Sequence, residues 1–212
     1  MKNTILIVLI AMLFFNCEKV KESKEAVYSA LVKGPGPKYL FLDVHNLEPG
    51  KVTFEAVADA HQKDLAKQRK YRVSFIKYWV DEEAGKVYCL AESPDSASIY
   101  HTHNEAHGLV PDLVRQVSDG LEAMPRVDKD LFLDIHRLGA GNVTAAAVVD
   151  AHRKDLAVQG KYNVNFINYW VDEKSGMVVC LSDAKDAASI IETHKSAHGL
   201  LPDEVHKVKQ GE

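Results

Sequence analysis

The sequence predicts an α+β fold made of two tandem βαββαβ units that pack as an internal pseudo-two-fold dimer. The first observation is a repeat, because residues 40–117 align without a gap with residues 131–208 and about three in five positions are identical. The second is that each copy carries strand and helix signals in the order of a ferredoxin-like unit. The third is that the second strand of each copy is apolar on both faces, so it needs a second layer, which the sheet of the other copy supplies.

Each element of the first copy has its own local signal. Runs rich in apolar, β-branched and aromatic residues indicate four strands. The expected strands are 40–45, 72–80, 86–92 and 113–117. Thr53 and Asp95 are suited to cap helix N-termini, and Gly108 is suited to end the second helix. The expected helices are therefore 54–69 and 96–107.

The composition is that of an ordinary globular protein, with 46% hydrophobic and 26% charged residues. The formal net charge of −4 gives no basic surface for nucleic acid, so we expect no nucleic-acid partner. Units of this size lie near the lower limit for an independent core, so each gains from packing against the other. We therefore expect the fused pair to be monomeric as a chain.

The first 17 residues differ from the rest. An apolar run from Ile5 to Phe15 follows one lysine and precedes Cys17. The run is too short to span a bilayer and fits the apolar region of a secretory signal. It resembles a bacterial lipoprotein signal that would be lipidated on Cys17, although the residues before that cysteine depart from the usual lipobox. A short uncleaved anchor is the alternative.

These features divide the chain into five parts. Residues 1–17 are the expected lipoprotein-type signal, and the charged residues 18–39, which end in a Gly/Pro cluster, are a tether. Unit 1 is residues 40–117, the linker is residues 118–130, and unit 2 is residues 131–208. The expected location is extracytoplasmic, in the periplasm or at the cell surface, with the membrane as a partner through the lipid anchor.

The second helix carries the most informative histidines. His103 and His107 are four residues apart and share a helix face with the apolar Ile99. This spacing brings two imidazoles close enough to share a metal ion. His101, by contrast, lies on another face and is Glu192 in the second copy, so we leave it out.

Other polar residues are retained at the same places in both copies. His61 and Asp64 share one face of the first helix, and we expect the Asp64 carboxylate to accept the His61 ring N–H. Asp43 and His45 are two residues apart and point to the same side of the first strand. If that side faces the helices, these residues converge with Cys89. The candidate metal ligands are His45, His61, His103, His107, His136, His152, His194 and His198, with Asp43, Asp64, Cys89, Asp134, Asp155 and Cys180 as supporting residues.

Plainer interpretations exist for the same residues. A single inward histidine is often a hydrogen-bonded core residue, and an ion pair with Asp64 would explain His61. Cys89 and Cys180 are best interpreted as small, unpaired buried thiols. The sequence has no HExxH motif, nucleophile elbow or Walker loop, so no catalytic residue is assigned. An enzyme is therefore less expected than a binding protein.

The runs FLDVH, AHQKDL, YWVDEEAGKVYCL and THNEAHGLVP resemble a small bacterial family of nickel-binding proteins, first described as a domain of unknown function. The resemblance covers both units. It implies a ferredoxin-like fold and places nickel or another late transition metal at His45, His103 and His107, with His61 near, and at the equivalent residues of unit 2. Members of that family are often single units that dimerise, and a fused pair would replace the dimer.

The expected function is that of a membrane-tethered protein that sequesters or passes on Ni(II), with Zn, Cu and Fe as alternative ions. Because neutral imidazoles bind metals, we expect the affinity to fall as the pH drops through roughly 6.5. Two alternatives stay open. One is a small oxidoreductase or monooxygenase-like enzyme with a pocket between sheet and helices, in which His45 or His61 acts as a base. The other is a non-catalytic interaction module.

Overall fold

Each half of the chain folds into the expected βαββαβ unit, which confirms the predicted fold class. The computed structural model describes residues 36–120 and 123–212. The expected signal and Cys17 lie outside the described residues, as does most of the expected tether. Unit 1 consists of β1 (Tyr39–Asn46), α1 (Phe54–Lys67), β2 (Ser74–Asp81), β3 (Lys86–Ser93), α2 (Ser96–Ala106) and β4 (Leu113–Gln116).

Unit 2 repeats these elements after a short connecting strand. It consists of β5 (Ser118–Asp119), β6 (Asp130–Arg137), α3 (Ala145–Val158), β7 (Asn165–Asp172), β8 (Met177–Ala184), α4 (Ala187–Ala197) and β9 (Glu204–Gly211). A 3₁₀ turn follows the first helix of each unit, at Gln68–Tyr71 and Gln159–Tyr162. The expected helix over 54–69 therefore ends in a 3₁₀ turn.

The helix boundaries follow from the capping residues. The Thr53 hydroxyl accepts the Ala56 N–H at 3.2 Å, and the Asp95 carboxylate accepts the Ser98 N–H at 2.8 Å. Gly108 has a φ of +80°, the left-handed conformation that commonly ends helices. This backbone turn directly follows His107, so it fixes the position of that residue at the end of α2.

The last strand of each unit is shared between the two units. Within unit 1 the strand order is β4-β1-β3-β2, and all neighbours are antiparallel. The first part of β9 pairs with β6, and its last residues pair with β2 of the other unit. In the same way β4 pairs with β1, and β5, one residue further on, pairs with β7. These two exchanges join the sheets into a closed barrel.

The barrel interior is the largest apolar core and draws on both units. Leu42 and Leu90 of unit 1 lie there with Leu133 and Leu181 of unit 2. The rings of Trp79 and Trp170, both almost fully buried, meet with centroids 5.1 Å apart. The expected second layer is therefore the other unit, as the doubly apolar second strand predicts.

The opposite sheet face packs against the helices. Phe41 of β1 packs with Ile99 of α2, whereas Leu42 and Val44 belong to the barrel core. Strand alternation therefore directs Asp43 and His45, which are both buried, toward the helices. This is the condition under which the sequence predicted that the histidines converge.

The linker makes the two units unequal. Its first two residues form β5, which matches the pairing of Lys209 and Gln210 with β2, but further along the Ala123 N–H donates to the Ile167 carbonyl at 2.6 Å. Arg126 donates to the Asp183 carboxylate at 2.5 Å and to the Asn163 side chain at 2.7 Å. Ile167 on β7 is 2% exposed and belongs to the shared core, while its counterpart Ile76 on β2 is 38% exposed.

Among the residues that the structure describes, none of the helices combines the length and the apolar character needed to cross a bilayer.

Replacing Trp79 with alanine is expected to destabilise the protein by about 3–5 kcal/mol, because it leaves a large void in the barrel and removes the contact with Trp170. Chemical unfolding measures this loss. Ile76→Ala on the same strand is the control and should cost less than about 1 kcal/mol, since Ile76 is exposed. Equal losses for the two variants would contradict a barrel core shared by the units.

Candidate metal centre

The retained polar residues meet between the helices and the sheet, once in each unit. In unit 1 they border an open cavity of about 240 Å³, which His45, His61 and His103 line together with other residues. The equivalent cavity of unit 2 has a volume of about 120 Å³. The structure thus brings together the candidate residues of each unit, including Asp64, Cys89 and His107 in unit 1 and Asp155, Cys180 and His198 in unit 2.

The Asp64 carboxylate on α1 contacts both His103 on α2 and His107, which caps the C-terminus of that helix. Its Oδ1 lies 3.0 Å from His103 Nδ1 and 3.2 Å from His107 Nε2. The two ring nitrogens are 3.4 Å apart. In unit 2 the corresponding distances are 3.0, 3.1 and 3.3 Å, among Asp155, His194 and His198. The cluster therefore has the same geometry in both units.

A second carboxylate approaches the same histidine from the sheet. Asp43 on β1 is fully buried, and its carboxylate oxygens lie 3.5 Å from His103 Nε2 and 3.4 Å from His45 Nε2. The equivalent distances from Asp134 are 3.1 Å to His194 and 3.2 Å to His136. The imidazole of His103 is thus held between two carboxylates, one on the sheet and one on a helix.

This position makes His103 a cation at neutral pH. Burial by itself would lower the pKa of the ring, but the Asp43 and Asp64 carboxylates outweigh it and raise the pKa to about 9. The pKa of His194 is raised to about 10 for the same reason. Burial would raise the pKa of Asp43, yet its contacts with His103 and His45 lower it, so this carboxylate stays ionised.

The backbone fixes the tautomer of His107. The Leu109 N–H donates to His107 Nδ1 at 3.2 Å, and the Leu200 N–H donates to His198 Nδ1 at 3.1 Å. A neutral imidazole has one lone pair and one N–H. Because the lone pair of His107 faces Leu109, its Nε2 carries the proton that faces Asp64. A metal ion at Nε2 would move this proton to Nδ1 and break the bond from Leu109.

His61 differs from what the sequence predicted. The expected pair with Asp64 is wrong, since the Asp64 oxygens contact His103 and His107 instead. The His61 ring packs on Tyr78, with centroids 4.7 Å apart. Burial, together with the nearby charge of His103, lowers the pKa of His61 although Asp64 opposes it. His61 is therefore a neutral imidazole on the cavity wall, and His152 is its counterpart.

Cys89 and Cys180, the cysteines within the described part of the chain, are buried and unpaired, as the sequence predicted. Burial raises the pKa of the Cys89 thiol, and the Asp43 and Asp64 carboxylates raise it further. Cys180 is shifted in the same direction for the same reasons. Both side chains are thus protonated thiols at neutral pH, which agrees with the plainer interpretation of them as small buried residues.

Sequence reasoning missed several neighbours of the cluster. Tyr78, which is not among the candidate residues from the sequence, lines the cavity beside His61. The Phe75 ring lies 5.1 Å from that of His103. Outside the cluster, the buried His206 bonds to Asp81 at 2.8 Å across the two units. Its counterpart is Arg115, so comparing the copies for identity could not reveal it.

The cluster has the dimensions of a coordination site. Two atoms that each lie about 2.0–2.1 Å from one metal ion are about 2.9 Å apart at a right angle and about 3.3 Å apart at the tetrahedral angle. The three donor atoms of Asp64, His103 and His107 are 3.0–3.4 Å apart. Ring protons directed at the Asp64 carboxylate now hold these three donor atoms together. A divalent ion bound to all three would require similar distances between them. Imidazole donors suit Zn, Cu, Fe and Ni, and zinc also takes carboxylate oxygen.

Comparison with solved structures finds several proteins to which parts of this chain are similar. The crystal structure of SCO4226 from Streptomyces coelicolor A3(2) is 35% identical, covers 37% of this chain and 94% of its own, and has a TM-score of 0.35. A putative monooxygenase from Lactobacillus acidophilus NCFM is 7% identical over 82% of this chain and 94% of its own, with a TM-score of 0.42. A heme-binding protein from Thermus thermophilus is 14% identical, covers 84% of this chain and 94% of its own, and has a TM-score of 0.40. No curated protein matches the chain.

The fold and the cluster define a tandem ferredoxin-like protein with one His/Asp centre in each unit. The model of the family described as nickel responsive protein SCO4226-like matches residues 41–117 and again residues 132–208. The chain therefore belongs to the SCO4226-like nickel-responsive family, of which it carries two consecutive units. This confirms the resemblance drawn from the sequence and supports a metal-related function.

The raised pKa of His103 predicts how stability depends on pH. The folded-state pKa of about 9 exceeds the unfolded value of 6.5, so the stabilisation is fully present below pH 6.5 and is lost as the pH rises through about 9. The loss should be roughly 3 kcal/mol. It is measured by urea unfolding at pH 6–10, with the His103 ring followed by NMR. Asp64→Asn should lower the His103 pKa, and an unchanged titration in that variant would contradict the assignment.

Proposed function

We propose that the protein binds a late transition metal ion, nickel being the first candidate, at one centre in each unit. The donors are Asp64, His103 and His107 in unit 1 and Asp155, His194 and His198 in unit 2. The observation that carries the proposal is the spacing of these donor atoms, which is 3.0–3.4 Å in one unit and 3.0–3.3 Å in the other. Membership of a nickel-responsive family supports the choice of metal.

The other candidate residues surround these donors and orient them or line the adjoining cavity. Asp43 would hold the far nitrogen of His103 and so orient the ring, as carboxylates commonly do behind metal-bound histidines. His45 shares that carboxylate. His61 presents a neutral imidazole to the adjoining cavity. The cavity itself leaves room for water or another molecule on the open side of the ion.

The metal is expected to replace a proton. At pH 7 His103 carries both ring protons, and a metal at Nδ1 displaces one of them while Nε2–H stays on Asp43. His107 moves its proton from Nε2 to Nδ1, which releases none. Each ion bound should therefore release about one proton. Affinity should rise about tenfold per pH unit up to about pH 9, so the pH dependence expected near pH 6.5 from the sequence should extend to about pH 9 for His103.

Titration calorimetry with Ni(II), Zn(II) and Cu(II) tests the centre. We expect two ions per chain in the unaltered protein, one in His103→Ala and none in His103→Ala/His194→Ala. Buffers of different ionisation enthalpy measure the released proton. His101→Ala is the matched control, because His101 lies two residues away, is exposed and stacks on Tyr71. Equal metal uptake by the double variant and the unaltered protein would overturn the site assignment.

We further propose that the protein is held at the outer side of a membrane by a lipid on Cys17. The support is the sequence of residues 1–17, with one lysine, an apolar run and then the cysteine. A tethered position would expose both centres to extracytoplasmic ions, which agrees with a role in sequestering them or passing them on.

Cys17→Ser is expected to move the protein from the membrane fraction to the soluble extracytoplasmic fraction of bacterial cells. The mass of the mature N-terminus, measured by mass spectrometry, should include the acyl chains only in the unaltered protein. Cys89→Ser is the control, since that cysteine is buried within the fold. Unchanged membrane binding of Cys17→Ser, with no lipid mass on the unaltered chain, would refute lipidation.

A further inference from the structure

The two cavities beside the metal centres have nearly the same lining and differ at one residue. The fifteen lining residues of one cavity correspond one to one with those of the other, and the exception is Lys51 in unit 1 against Asn142 in unit 2. Over the whole repeat about two in five positions differ. The single exception replaces a cation with a neutral amide, so the two centres differ in the charge beside them and not in their donors.

The side chains of Lys51 and Asn142 also differ in their contacts. The Asn142 amide donates to the Leu138 carbonyl at 2.8 Å, so this side chain is bonded to its own loop. Lys51 is exposed, and its ammonium group forms no ion pair with the described residues. The open side of the unit 1 cavity therefore carries an unpaired cation where unit 2 has a neutral, hydrogen-bonded amide.

The unit 1 cavity also has more room beside the donors. Its volume is about 240 Å³, against about 120 Å³ in unit 2. An apolar cavity of about 150 Å³ accepts a benzene molecule, so the unit 1 cavity can hold a molecule of several heavy atoms. Val52, Val57 and Leu109 give this space an apolar wall, which suits a short alkyl group.

A divalent ion makes the centre more favourable to an anion. The ion brings two positive charges and displaces about one proton from His103, so the cluster gains about one positive charge. Three protein donors also leave at least one coordination position for a further ligand. An anion that enters the unit 1 cavity therefore meets positive charge from the ion and from Lys51.

We propose that unit 1 binds its metal ion together with a small monocarboxylate, and that Lys51 determines this preference. The carboxylate group coordinates the ion and pairs with the Lys51 ammonium, while its short alkyl body lies against the apolar wall. It binds after the ion, because Asp43 and Asp64 repel it before. Unit 2, with Asn142 and the smaller cavity, binds its ion without a carboxylate. This inference rests on the proposed metal function and extends it by assigning a ligand class to one of the two centres.

Two variants of the full chain isolate the centres for the test. His194→Ala leaves the centre of unit 1, and His103→Ala leaves that of unit 2. Each is titrated with Ni(II) by calorimetry in excess butyrate, and again in butyramide, which has the same size and no charge. Relative to butyramide, butyrate should tighten nickel binding at least about fivefold in unit 1 and less than about twofold in unit 2. Equal effects on the two centres, or no effect on either, would overturn the proposal.

Matched lysine variants in the His194→Ala background test the role of Lys51. Lys51→Asn, which introduces the residue of unit 2, should remove the preference for butyrate, whereas Lys51→Arg should keep it. Lys63→Asn is the control, because it removes an equal charge from the exposed face of α1 outside the cavity. A preference that persists in Lys51→Asn, or that is lost in Lys63→Asn, would contradict the assignment.

A direct measurement separates this proposal from that of the metal centre. Protein loaded with paramagnetic Cu(II) should accelerate the NMR relaxation of the butyrate protons when the ion is in unit 1. The ion in unit 2 and the metal-free protein should not. Normal metal uptake without faster relaxation refutes the carboxylate and leaves the metal centre unaffected. No metal uptake by either variant refutes the metal function, and this inference with it.

Discussion

Closure of the barrel by shared terminal strands is the constraint on which the other features depend. Because β9 and the β4–β5 segment each bridge both units, neither sheet is complete without the other. The tryptophan pair at the centre packs only in the closed form. Closure also fixes the twist of each sheet, and therefore the place at which β1 presents Asp43 and His45 to the helices.

The His/Asp cluster of each unit connects the sheet to the helices. His103 on α2 lies between a carboxylate of the sheet and a carboxylate of α1, so one charged ring connects three elements. Such an arrangement is stabilising only while all partners are present, because a buried charge without its partner is costly. This dependence on a positive charge between the carboxylates also suits a metal centre, because a bound ion would take the place of the His103 proton between the donors.

The sequence was sufficient for the fold and for the inward direction of the residues that form the centre of each cluster. The strand and helix periods placed His103, His107 and Asp43 on inward faces, and the structure agrees. It was insufficient for pairings that depend on exact helix position, so Asp64 was paired with the wrong histidine. It also missed the Leu109 N–H on His107, which depends on a backbone turn, and His206, whose partner Asp81 lies in the other unit.

Linker residues Ala123 and Arg126 bond to Ile167 and Asp183, and Ile167 is buried where the matching Ile76 is exposed, so the two halves of this molecule are related but unequal. In a symmetric dimer every substitution appears at both sites at once. Here a change such as Lys51 against Asn142 affects one cavity alone, and the two cavities differ in volume. Fusion therefore allows the residues of one half to change independently of the other half, without loss of the shared barrel.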